Sequence, residues 1–493
     1  MRATALSPAE FAITVNIAKK RLGGQAEWTA VGDELQAPAD PRQSDNRGRY
    51  PFQVVAGDPQ FRFPAAEADH PDCESDTWFL AGELASSHTG RKFAFLTIFN
   101  KNRPGHAVVA DFYTFALFDL GAGTYGTYTD YDMPPANLRP GARHKLSMAV
   151  RHLDMAYQSG AGTAVWRTCR DGDQQLIPCT YDVGLVGTDR GGHPMELRLH
   201  VGATRAPVPV GASSYNGKIT CFGQEDTYSY FQTGMTMTGT LRWGSVEEAV
   251  SGSAGHVDRQ WFPRYAGGGG TGGDPRARAH EWRTINLDNG VDLSIWRQFD
   301  RTNRNALQPF SGATTSPAET GAEPECAEDI EVSVLSYVRW PESVPTLVPP
   351  LAAARYMPDR HRLTSRKLDL ELTGEPLVEA PAHALPIEYM EGPYRYRGTM
   401  RGRPVSGFAF YERSIALYRD WELVEVLASA VENLHPKSER LASMVAGLRT
   451  SIGDGCRQEA LGYLRDTVRP VVDAVPAATR VAEILADLAN ALR

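Results

Sequence analysis

The stretch TYSYFQTGMTMTGTLRWGSVEEAVSGSAGHVDRQW, residues 227–261, decides the fold. Within it, Met235, Met237, Leu241 and Trp243 alternate with threonines and an arginine, the period-two signature of a strand with one buried face. The same texture runs from about residue 75 to 415. KFAFLTIFN (92–100), DFYTFALFDL (111–120), MELRLHV (195–201), VDLSIWRQF (291–299), EVSVLSYVRW (331–340) and KLDLELTG (367–374) are predicted strands, and the turns between strands are of the Asp-Gly, Asn-Gly and Gly-Gly kind. Many short antiparallel strands with few helices predict a sandwich or barrels. A barrel of about eight or more strands removes exposed edges and encloses an apolar pocket.

After Tyr418 the pattern changes to apolar residues at three- and four-residue spacing, broken at Pro436, Gly453-Asp454-Gly455 and Pro476. This predicts four short helices that pack on the β-region or make a contact between two copies of the chain. At the other end, Ser7 as N-cap, Pro8 at the first helical position and Glu10 closing a capping box predict a short helix stopped at Gly23-Gly24.

At 493 residues the chain exceeds one ordinary core, and about 150 residues per domain predicts two to four units. A hydrophobic content of 42% and a charged content of 22% are those of a folded, soluble chain. The net charge of -8, without a Lys/Arg run, argues against nucleic acid or an anionic membrane as partner. No stretch approaches about 18 uninterrupted apolar residues and the N-terminus lacks a signal-peptide core, so the expected compartment is the cytoplasm. The six cysteines form no CxxC pair, a spacing that is wrong for structural zinc and thin for a disulfide scaffold. Cys169 and Cys179 flank a predicted Asp-Gly hairpin and are expected to face each other, reduced.

Two segments echo each other: Trp78, a turn at Gly90, a strand and Asn-Arg; then Trp282, a turn at Gly290, a strand and Asn-Arg. They suggest two similar β-modules in series. Three stretches then carry a more specific likeness. DTWFLAGELASSHTGRKFAFLTIF (76–99) resembles the opening hairpin of the carotenoid 1,2-hydratase (hydroxyneurosporene synthase) family of lipocalin-like proteins, which includes kievitone hydratase and fungal decalin-forming Diels-Alderases. The stretch 227–261 is similar to that family's aromatic pair, strand and Asp-His-Glu/Gln-Trp element. IEYMEGPYRYRGTMRGRPVSGFAFYE (387–412) resembles its Tyr-Trp-Glu-Gly hairpin and the following Gly-rich strand ending in Glu. The resemblance implies a mainly β fold of two lipocalin-like (calycin) antiparallel β-barrels in tandem. The expected division is an N-terminal helix and extended segment (1–60), a first barrel (61–250), a second barrel (251–417) and a C-terminal helical appendage (418–493).

The resemblance also singles out residues. Asp258 falls on the family's aspartate, Gln260 and Trp261 on its last two positions, and Arg259 replaces its histidine. Hydrating an unactivated alkene requires a carboxylic acid kept neutral by apolar surroundings and an aromatic face for the cation. An arginine beside Asp258 would hold that carboxylate ionised, while His256, two positions earlier on the same strand face, would supply an imidazole. A cyclisation asks only for a folded pose and a hydrogen-bond donor, for which Arg259, Gln260 and Tyr230 are candidates. Trp261, Phe231, Trp243 and Trp296 are expected to wall the cavity with Tyr230, and Met390 softens the wall where the family has tryptophan. Glu391 and Glu412 match family glutamates and are expected to help close a barrel, with Glu391 also among the binding residues. Glu225 and Asp226 read as exposed turn residues.

His280-Glu281 does not form HExxH, the glycines at 267–270 open no helix, and GxSxG is absent, so no metal, nucleotide cofactor or serine-hydrolase chemistry is expected. The expected function is a cofactor-independent cyclase, Diels-Alderase-like, acting on a large apolar polyene, polyketide or isoprenoid in a barrel cavity. The alternatives are a hydratase or dehydratase of an isoprenoid double bond with Asp258 as acid, and a non-catalytic carrier of apolar ligands.

Overall fold

Strands that face solvent alternate buried and exposed positions, whereas those where the two barrels meet are buried on both faces. A computed structural model describes residues 50, 54–221, 224–264, 276–319, 322–475 and 478–493, with Glu225 in backbone only. The predicted N-terminal helix around Ser7, Pro8 and Glu10, the glycines at 267–270 and Pro476 lie outside the described residues. Two large antiparallel sheets, each curled to near-barrel form, dominate: one of 15 strands between Ser75 and Phe262 and one of 11 between Arg278 and Ser414.

β1 (Ser75–Ser86) is the hub of the first sheet. Along one edge it pairs with Lys92–Asn102 and along the other, from Ser75 to Gly82, with β3 (Gly255–Phe262); β2 (Gln224–Gln232) lies on the far side of β3. Gly255 sits opposite Gly82, and a Cβ on Gly255 would lie 2.6 Å from the Ala81 carbonyl oxygen, so the strands meet closely where β3 begins. In the second sheet β4 (Arg278–Leu287) pairs with β5 (Val291–Asp300) and with β7 (Arg403–Ser414), which pairs in turn with β6 (Tyr389–Met400). The expected boundary at residue 250 is therefore misplaced: β3 completes the first sheet, and the chain changes barrel between Phe262 and Arg278. The two echoing hairpins both form, with Gly90 and Gly290 at positive φ (71° and 85°). Their tryptophans are not equivalent, since Trp78 joins the first barrel's interior and Trp282 faces outward from the second.

Parity decides what each barrel shows its neighbour. Trp78, Leu80, Phe93, Phe95 and Val257 fill the first interior, and Ile285, Ile295, Met390 and Tyr411 the second. The residues between them, Phe79, Ala81, Leu96 and Phe118 on one barrel and Phe408 and Phe410 on the other, pack outer face against outer face. Each buried phenylalanine contributes about 1.5–3 kcal/mol to holding the barrels together. Polar pairs fix the docking: Arg395 to Glu83 at 2.9 Å, Arg205 to Asp292 at 3.0 Å, and the Asn286 amide donating to the Gly255 carbonyl at 3.3 Å.

Past the barrels, α1 (Asp420–Glu432), α2 (Glu439–Gly453), a helical run from Arg457 to Asp473 with a π-turn at Leu464–Val468, and a last helix Thr479–Leu492 share one apolar core. That core includes Tyr356 and Leu417, and Tyr356 donates to Asp487 at 2.7 Å, so the helices pack on the second barrel. A buried two-pronged pair, Arg301 with Glu422 at 2.8 Å, fixes the start of α1. No described helix is long and apolar enough to cross a membrane.

Candidate active site between the barrels

On β3 the even-numbered side chains His256, Asp258, Gln260 and Phe262 leave the first barrel's interior and face the second barrel. The odd ones, Val257, Arg259 and Trp261, turn inward. On the facing strands the outward positions are His280 and Trp282 of β4, Trp296 of β5, Tyr389 and Glu391 of β6, and Phe410 and Glu412 of β7. A contact that is aromatic and aliphatic at Phe79, Ala81, Leu96, Phe118 and Phe408 here becomes a nest of carboxyls and imidazoles.

His256 Nε2 lies 3.1 Å from Asp258 Oδ2, and its ring stacks on Phe79 with centroids 5.2 Å apart. Across the seam, His280 Nε2 lies 3.0 Å from Glu412 Oε1, and the Tyr389 hydroxyl donates to the other oxygen of Glu412. Glu391 and Glu412 are directly opposed on β6 and β7, a register in which like charges repel. Burial, then the neighbouring Glu412 and Asp258 charges, push the Glu391 carboxyl well above the ordinary carboxylate range. Burial likewise raises Asp258, partly offset by His256 and reinforced by Glu412. One oxygen each of Asp258 and Glu391 and the His256 Nδ1 have no hydrogen-bond partner among the described protein atoms. Three carboxyls thus share one desolvated layer, with both imidazoles already engaged by two of them.

Arg259 does not belong to this layer. Its guanidinium points into the first barrel, 2.7 Å from Asp76 and 4.1 Å above the Trp78 ring, and donates to the Ala68 carbonyl. The expectation that it holds Asp258 ionised is overturned, because adjacent residues on a strand face opposite sides. Trp261 and Tyr230 lie with it on the inner side, against Phe61 and Phe63. Trp243 closes a distant strand end and donates to Asp189 at 3.0 Å. Met390 is inside the second barrel, on the face of β6 opposite to Glu391. Phe231, opposite Asp258 in register, and Trp296, stacked on His280 at 5.3 Å, do line the layer. Gln260 is on the same face as Asp258 and half-buried.

Sequence reasoning missed His280 and Tyr389 as partners and read Glu412 as structural. Outward parity on β4, β6 and β7 was the available signal. Cys169 and Cys179 do not face each other: Cys169 lies 3.7 Å from His200, whereas Cys179 senses the interior Glu67. Cys169, Asp182 and His200, on three adjacent strands, bring their ligand-type atoms within 4.8 Å of one another, a grouping that linear spacing does not reveal.

One consequence of the raised Glu391 concerns stability. A carboxyl with a folded pKa above its unfolded value binds an extra proton in the folded state, so stability falls as pH rises from the unfolded pKa through the folded one. Glu391→Gln removes that penalty. Thermal melts should show the variant stabilised by on the order of 1 kcal/mol at pH 8 and indistinguishable from the parent near pH 4. An equal shift at both pH values would show that Glu391 titrates normally.

A family model described as AttH-like matches residues 54–412. The crystal structure of a Nitrosomonas europaea protein described as AttH by assignment aligns with a TM-score of 0.51 at 16% identity, covering 74% of this chain and 99% of that one. Kievitone hydratase from Nectria haematococca aligns with a TM-score of 0.49 at 13% identity over 69% of this chain and 88% of its own. CghA aligns with a TM-score of 0.36 at 11% identity over the same 69% and 88%. No curated protein matches by sequence search. With the family model spanning both barrels, and with the two-barrel fold shared with the Nitrosomonas protein, the chain belongs to the AttH-like family.

Proposed function

We propose that the chain is an acid-base enzyme that adds water to, or removes it from, a carbon-carbon double bond of a large apolar molecule held between the barrels. The observation that carries this reading is the trio Asp258, Glu391 and Glu412, the first two buried and the third 14% exposed at its side chain, which share one layer in which, among the described residues, no arginine or lysine is bound to any of them. A desolvated carboxylic acid delivers its proton to one alkene carbon, and the cation forms at the other. Phe79, Phe231, Phe410 and Trp296 present the aromatic faces that such a cation requires. Water then attacks the cation, and its proton returns to a carboxylate of the set, Glu412 being steadied by His280 and Tyr389. The sum is alkene plus water giving alcohol; dehydration is the reverse.

The cyclase reading draws on Arg259, Gln260 and Tyr230 as donors; Arg259 and Tyr230 face into the first barrel, and of the three Gln260 shares the face of Asp258. The apolar class of the substrate and the absence of a nucleotide or metal requirement remain part of the proposal. A panel of terminally unsaturated isoprenoids and prenylated aromatics incubated in ¹⁸O-labelled water distinguishes the readings. A product carrying one solvent oxygen and, in deuterium oxide, one carbon-bound deuterium is the expected result. An isomeric ring product without solvent atoms would establish cyclisation instead, and saturable binding without turnover would establish a carrier.

A further inference from the structure

The interior of the second barrel carries a charge arrangement that the proposed reaction does not use. Arg283 of β4, Arg297 of β5 and Arg413 of β7 all turn inward and converge on one carboxylate, Glu281. Arg283 reaches Glu281 Oε2 at 3.1 Å, Arg297 the same oxygen at 3.4 Å, and Arg413 reaches Oε1 at 3.0 Å. Arg283 is fully buried, Arg413 nearly so, and Arg297 is 14% exposed at its side chain. Three guanidiniums against one carboxylate leave two uncompensated positive charges inside a low-dielectric barrel, an arrangement that ordinarily calls for a counter-anion.

The surroundings supply donors rather than acceptors. Tyr411 already donates to Glu281 at 3.4 Å, and Tyr394, whose hydroxyl has no partner among the described atoms, stands beside it with ring centroids 5.3 Å apart. His361 is fully buried, 4.4 Å from the Tyr411 ring, and neither of its ring nitrogens has a partner among the described residues. Burial, then Arg283, hold its pKa well below the ordinary imidazole value, so it adds no charge but retains one N–H to give. The Nε atoms of all three arginines are also unpartnered. Asp359, whose charge reaches Tyr394, accepts from Ser336 at 3.1 Å.

We propose that this lumen is a binding site for an oxyanion, the phosphate or carboxylate group of a small molecule, held by Arg283, Arg297 and Arg413 with Tyr394 and His361 as further donors. Guanidinium forks match the oxygen spacing of both groups; among the described residues Glu281 is the carboxylate paired with them, and the Tyr411 and Phe299 rings that lie under the guanidiniums leave their N–H edges free to donate. The site is separate from the acid layer, because Glu281 and Arg283 occupy the face of β4 opposite to His280 and Trp282.

The test uses the full chain dialysed free of phosphate. Thermal melts and ³¹P line widths are followed against inorganic phosphate, acetate and chloride at constant ionic strength. A saturable rise in melting temperature with phosphate or acetate, but not with chloride, is expected, and whichever of the two binds more tightly names the source chemistry. Arg297→Met, at the least buried of the three arginines, should weaken binding at least tenfold, whereas Asp258→Asn should leave it unchanged. Should Arg297→Met not fold, Tyr394→Phe takes its place, with a weakening of several-fold expected. Melts that do not respond to either oxyanion, or responses equal in parent and variant, would overturn the proposal.

Discussion

Asp258→Asn should lose turnover by at least about 10³-fold while leaving the melting temperature within a few degrees of the parent. A positioned general acid is ordinarily worth about 10²–10⁴-fold, and here the proton ends on carbon, where no solvent pathway replaces it. The asparagine keeps the shape of the side chain, and its amide still meets His256 Nε2, so packing against Phe79 and Phe410 survives. A buried carboxyl that burial and the Glu412 charge both hold above its normal pKa is replaced by a neutral group, which the folded state accommodates without cost. The measurement is the rate of solvent-oxygen incorporation per folded protein, with far-ultraviolet circular dichroism as the control. Retention of more than about a tenth of the parent rate would remove Asp258 from the proton path and return attention to Glu391.

The same residue shows how far the sequence could be read. Alternation in a stretch such as 233–243 was enough to predict a strand, because one face of it is buried in a barrel and the other is exposed. It also correctly put His256 and Asp258 on one face. What it did not supply is which face of β3 points where, and on that choice hung the whole assignment of Arg259, Trp261 and Tyr230. Both faces of β3 are buried, the inner one by the barrel core and the outer one by the second barrel, so hydropathy carries no contrast between them. The acid layer is likewise assembled from five strands separated by more than 150 positions, from His256 to Glu412, and no local motif announces His280 or Tyr389 as members. Replacing the family histidine by Arg259 was legible as a departure, but its physical meaning lies in Asp76, a residue that nothing in the linear sequence ties to it.

That meaning predicts a large structural cost for Arg259→Ala. Asp76 is completely buried and is held at about pKa 2 against the opposing effect of burial by Arg259 first and by His70 second. Removing the arginine leaves a desolvated carboxylate with His70 as its remaining partner, takes a donor from the Ala68 carbonyl, and empties the space above Trp78. Breaking a buried pair in this way costs about 3–5 kcal/mol. Because Asp76 has a depressed folded pKa, the stability it contributes is present above its unfolded value near 3.8 and is lost as pH falls toward 2. The deficit of the variant should therefore be largest at high pH and shrink as pH falls toward 2, because protonation neutralises the acid in the variant before it does so in the parent. Urea melts across that range test this, and the double variant Asp76→Leu, Arg259→Met should recover most of the loss at neutral pH, since an apolar pair of similar volume leaves no charge behind. Turnover per folded molecule provides the decisive contrast. If Arg259 served as a substrate donor, the double variant would be stable and slow; a buried structural pair on the inner face of β3 instead predicts a stable protein that works at within a few-fold of the parent rate.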